Sequence, residues 1–115
     1  MSMETLEDRI ERLEFYSRLT LQTVDYTQFP FFTLVMSNKL TEQEVNEVLT
    51  LCDELQKKYE QQKEEGLVNF VPLLIHFAGM LTPKLKPKET IQAIKGQGLY
   101  PNLMEKLYEI ASRYE

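Results

Sequence analysis

Residues 71–81 read VPLLIHFAGML, the most apolar run of the chain, and they contain its only histidine, His76. Asn69 can cap a helix there, Pro72 is tolerated in its first turn, and Thr82-Pro83 ends it, because a residue before proline is pushed away from helical geometry. Between those marks no polar face remains. A helix apolar on all sides is expected to be surrounded on all sides, so residues 70–81 are expected to be the central element. Ala78 and Gly79 would let a neighbouring backbone approach closely. The wider apolar run from Leu67 to Leu81 is too short for a membrane span, which needs about 20 apolar residues, and Asn69, Pro72 and His76 interrupt it.

Working outward, every boundary is helical and no segment alternates with period two. Upstream, Thr41-Glu-Gln-Glu44 is a capping box flanked by Leu40 and Val45, a hydrophobic staple. Val45, Val48, Leu49, Cys52, Leu55 and Tyr59 then form one stripe of a long helix that Gly66 stops in the left-handed conformation. Before it, Pro30 opens a short helix to about Ser37. The first segment, residues 3–24, carries Met3, Leu6, Ile10 and Leu13 at heptad spacing. The apolar positions then shift to Phe15, Tyr16, Leu19 and Leu21. A seam that changes face after two heptads predicts a bundle helix meeting different neighbours rather than an extended coiled coil. Downstream, Pro87 opens a short helix closed by Gly96. Gly98 and Pro101 frame the turn into a last helix with Leu103, Leu107, Ile110 and Tyr114 on its stripe. The expectation is one all-α domain over residues 1–115, a compact multihelical bundle of five or six helices with an apolar central helix, completed by self-association.

The chain has 115 residues, 13 Lys and Arg against 18 Asp and Glu, and a net charge of −5. That balance opposes general attraction to phosphate backbones. One cysteine, Cys52, cannot form an internal disulfide, and no secretory leader is read at the start, so a cytoplasmic protein is expected. His76 has no acid within four residues, and neither a catalytic group nor a zinc set can be assembled around it by spacing. It is read as a buried structural imidazole. The alternative is a small-molecule or metal binder using His76 in an inter-helix pocket. Cys52, on the buried stripe beside Asp53, is read as a small core residue. Lys84, Lys86, Lys88 and Lys95 form the one local positive cluster. A weak anion contact is weighed there against a solvated loop, and the solvated loop is preferred because no arginine or aromatic residue accompanies them. No catalytic residue, metal or cofactor is assigned.

Phe29, Phe31 and Phe32, together with Phe70 and Phe77, are a large apolar mass for so short a chain. What the monomer leaves uncovered is expected to meet another copy. The expected function is therefore non-enzymatic: a homo-oligomer acting through macromolecular interaction, with a protein partner favoured over nucleic acid or membrane. The stretches HFAGMLTPKL, KPKETIQAI and QGLYPNLMEKLYE, with the earlier FPFFTLVMSNKLTEQE, resemble the YhaI-like family of small Bacillus proteins. That resemblance implies an all-helical, oligomeric fold of unknown function and brings no site residue with it.

Overall fold

The computed structural model describes residues 3–114. Six helices account for the regular structure among them: α1 (Leu6–Thr23), α2 (Pro30–Ser37), α3 (Glu42–Glu64), α4 (Val71–Met80), α5 (Pro87–Gly96) and α6 (Pro101–Arg113). The fold is all-α, with helix positions close to those expected from the sequence.

Local chemistry explains the boundaries. Both long helices begin in a full capping box: Thr5 with Asp8 at α1, and Thr41 with Glu44 at α3. At α3 the Thr41 hydroxyl accepts from Glu44 N at 3.1 Å, and Glu44 Oε1 accepts from Thr41 N at 2.9 Å. The four shorter helices each start with a proline in the first turn, where its missing N–H costs nothing. Asn69 accepts from Val71 N at 3.2 Å, but the capping position itself is Phe70. The expected cap therefore lies one residue early.

The same C-terminal closure recurs three times. At the end of α3, Leu67 N donates to Gln62 O and Gly66 N to Lys63 O, with Gly66 at φ 81°. At α5 the corresponding bonds run from Leu99 to Ile94 and from Gly98 to Lys95. Gly98, not Gly96, is thus the left-handed residue there. Gly96 has a different role, since a Cβ on it would sit 3.1 Å from Pro30 Cγ. It lets the start of α2 rest on the end of α5. At α2 the bonds are Leu40 to Val35 and Lys39 to Met36, and the left-handed residue is Lys39 at φ 55°.

The core is a single cluster built from α3, α4, α5 and α6, with Phe31 supplied by α2. Phe31, Phe77, Leu55, Ile91, Ile94, Leu103 and Leu107 are its large fully buried side chains. Tyr59 and Phe70 meet edge to face at 4.9 Å. α2 is held against α5 by Phe31 and by the Gln97 side chain, which accepts from Phe32 N at 3.0 Å. Thr90, the buried polar residue of the core, donates its hydroxyl to Lys86 O at 2.7 Å.

Two sequence expectations are corrected. α4 is not surrounded within the chain: Leu73 and Phe77 are buried, whereas Ile75 and Met80 are about two-thirds exposed, at 65% and 68%. Nothing lies within 4 Å of a Cβ placed on Gly79, so no backbone approaches it closely. A run with no polar face marks a helix that needs two partners, and one chain supplies a partner on one side. The second correction concerns α1, which buries no residue and is not a bundle helix. It extends the molecule to 70 × 24 × 23 Å, with a radius of gyration of 18.1 Å. A compact domain of this length has a radius near 13 Å.

Candidate interaction surface

α1 and the residue Met3 before it carry a row of exposed apolar side chains. Met3, Leu6, Ile10, Leu13, Tyr16 and Leu19 are all exposed, Leu6 at 70% and Leu13 at 59%. Its polar supports are local: the capping box, an ion pair between Arg12 and Glu4, and Arg18 lying 6.0 Å from the Phe15 ring. Where α1 approaches the body, a crease of about 500 Å³ separates it from α2, with Leu13, Leu21 and Val24 on one wall and Val35 and Met36 on the other. Phe29 and Phe32 of the α2 region stack at 6.1 Å and remain exposed, whereas Phe31 is fully buried. The phenylalanine cluster thus divides, one ring closing the core and two facing outward.

His76 is half-buried on α4, next to the exposed Ile75, and makes no hydrogen bond among the described residues. It is therefore neither enclosed by greasy neighbours nor held by a backbone carbonyl. The described residues contain no group of three His, Cys, Asp or Glu side chains suited to a metal. An open groove of about 740 Å³ runs along α3, lined by Glu42, Asn46, Glu47, Thr50 and Glu54 and touched by Met80 at the end of α4; His76 does not line it.

Two of the four lysines share an aromatic ring that their own stretch of sequence lacks, and Lys84 is engaged elsewhere. Lys84 Nζ bonds Glu44 Oε1 at 2.7 Å and Lys39 O at 3.3 Å, fastening the α4–α5 loop to the start of α3. This pair and the capping bonds hold the Glu44 carboxyl below its ordinary range, with the Lys84 bond the largest cause. Lys88 and Lys95 lie over the Tyr108 ring at 5.8 and 4.7 Å. Lys86 is exposed at the capping position of α5.

Two features inside the body are structural in geometry. Cys52 is fully buried, and burial, aided by the neighbouring Asp53 charge, pushes its thiol up to about 12. Such a thiol is a poor nucleophile. Tyr100 adopts φ 47° at the start of α6, a left-handed conformation unusual for a residue of its size. Its hydroxyl donates to Asp53 Oδ1 at 2.5 Å and lies 3.3 Å from Leu49 O, tying the α5–α6 turn to α3. Burial first, and the bond to Asp53 second, hold its phenol protonated above the ordinary tyrosine range. Sequence inspection missed this contact, and only the Gly98–Pro101 punctuation hinted at a constrained turn.

Among the described residues no helix is long and apolar enough to cross a membrane. The molecule is a small all-α protein whose N-terminal helix stands apart from a packed helical body. Residues 3–112 match the family described as "Protein of unknown function (DUF1878)", and the chain belongs to that family.

Proposed function

We propose that the chain is a non-enzymatic, self-associating interaction protein of the cytoplasm, with residues 1–115 acting as one unit and of the YhaI-like kind found in Bacillus. One observation carries this reading: α1 is an 18-residue helix with no buried residue and an exposed apolar stripe. Helix formation has a costly nucleus, and most helix stability in proteins comes from packing an amphipathic face. Each large aliphatic side chain withdrawn from water contributes roughly 1.5–3 kcal/mol. Leu6, Ile10 and Leu13 alone would then stabilise a paired helix by several kcal/mol per chain. Phe29, Phe32, Ile75 and Met80 add exposed apolar surface on the body.

The test is the mass of the unmodified chain at micromolar concentration by sedimentation equilibrium. A multiple of 13.6 kDa is expected. A well-folded species at 13.6 kDa would remove the proposal. A pocket role for His76 has weaker support, since the residue is half-buried and no carboxylate set accompanies it among the described residues. If that role held, zinc would raise the melting temperature of the wild type and not of His76→Gln; no zinc-dependent difference is expected.

A further inference from the structure

We infer that α1 pairs with α1 of a second copy in parallel and in register, with Ile10 and Leu13 on the seam and Arg9 of each chain facing Glu14 of the other. This inference rests on the self-association reading and specifies its geometry.

The spacing sets the seam. Met3, Leu6, Ile10 and Leu13 are separated by three, four and three residues, and the same alternation continues to Ser17, Thr20 and Val24. With those positions at the centre, Glu7, Glu14 and Leu21 flank one side, while Arg9, Tyr16 and Thr23 flank the other. Flanking residues fix partner orientation in a coiled coil. In a parallel pair, a residue on the second flank meets the residue five positions later on the first flank of the other chain. Arg9 then meets Glu14, and Tyr16 meets Leu21, each contact occurring in both directions. The ion pair covers the Ile10–Leu13 part of the seam. The Tyr16–Leu21 contact shields the polar Ser17 and Thr20, where the central stripe alone is weak. Reversing one helix sets like flanks together, so Glu7 and Glu14 face the same carboxylates and Arg9 meets no acid. Charge complementarity therefore selects the parallel arrangement.

The crease between α1 and α2 shows where the seam comes closest to the body. Its α1 wall is formed by Leu13, Tyr16, Ser17, Thr20, Leu21 and Val24. All six are central or flanking positions of the heptad, and none lies on the outer face. Over residues 13–24 the seam side thus faces Val35 and Met36 of α2 across this gap, whereas Leu6 and Ile10 stand clear of it and are exposed. Parallel pairing also places every α2–α6 body at the same end of the assembly.

Single cysteines test this directly, because the native Cys52 is fully buried. Leu6→Cys and Ser17→Cys are each placed on the seam and oxidised mildly in the full chain; in an antiparallel pair with Ile10 facing Leu13 these two positions would lie opposite each other. Parallel, in-register pairing predicts that each variant cross-links to itself. Cross-linking only when the two variants are mixed would mean an antiparallel pair and would overturn the inference. An oligomer that cross-links in none of these arms would place association on another surface, overturning the inference while leaving self-association standing. A monomeric unmodified chain would overturn both. In parallel, Glu14→Arg is expected to weaken assembly about tenfold, and Arg9→Glu with Glu14→Arg to recover most of that loss. An unchanged dissociation constant in Glu14→Arg would contradict the Arg9–Glu14 contact.

Discussion

Lys39 illustrates how a single backbone position can work against its side chain. It closes α2 with φ 55°, where Gly66 and Gly98 perform the same task at α3 and α5. The left-handed conformation costs an L-residue roughly 1–2 kcal/mol, while glycine loses about 0.5–1 kcal/mol more backbone entropy on folding. Lys39→Gly is therefore expected to stabilise the fold by about 0.5–1 kcal/mol, read as a higher urea midpoint at unchanged slope. The bond from Lys84 to the Lys39 carbonyl survives that change, because it is made to the backbone. A lower midpoint would show that the lysine side chain has a stabilising role. Cys52 supplies a second residue-scale expectation. Its thiol is raised from an ordinary value of 9.0 to about 12 in the folded chain. Between those values the unfolded chain has released a proton that the folded chain retains, so stability falls as pH rises from about 9. The raised Tyr100 phenol acts in the same direction. Denaturant melts from pH 8 upward should show that decline, and a flat profile would contradict it. The burial of Cys52 was legible from its place on the α3 stripe. The environment of His76 was not, because a run with apolar residues on every face does not say which face the chain itself will cover.

At the scale of elements, the starts and stops were legible because they are local chemistry. A capping box, a first-turn proline and a left-handed glycine act within four residues of one another. The packing of α1 and α4 was not legible, because an apolar stripe reports the need for a partner and not which chain provides it. Sequence spacing placed α1 in the bundle and α4 at its centre, but α1 buries nothing and α4 buries one face. The two faces of α4 should respond unequally to substitution. Phe77→Ala removes a fully buried ring and is expected to cost about 3–5 kcal/mol. Ile75→Ser changes a residue that is 65% exposed, and its cost in dilute solution should stay within about 0.5 kcal/mol. Paired urea melts measure both. A large penalty at Ile75 would mean that another copy covers α4 even at the concentration of the melt.

For the whole molecule, shape and stability point to the same need. A chain with extents of 70 × 24 × 23 Å leaves its N-terminal helix supported mainly by its own cap and the Arg12–Glu4 ion pair. The body, by contrast, closes a full core over α3–α6 with Phe31. Association through α1 should therefore be separable from folding of the body. Substitutions on the α1 stripe remove assembly and leave the body's cooperative unfolding in place, whereas core substitutions weaken both. The most direct measurement is sedimentation equilibrium of the wild type against the Ile10→Asp/Leu13→Asp double variant at one micromolar-range concentration, with circular dichroism on the same samples. The wild type is expected to sediment as an oligomer, and the variant as a 13.6 kDa monomer that keeps most of its helical signal. If the variant keeps the wild-type mass, or if the wild type itself is a folded monomer, α1 is not the surface that joins the copies.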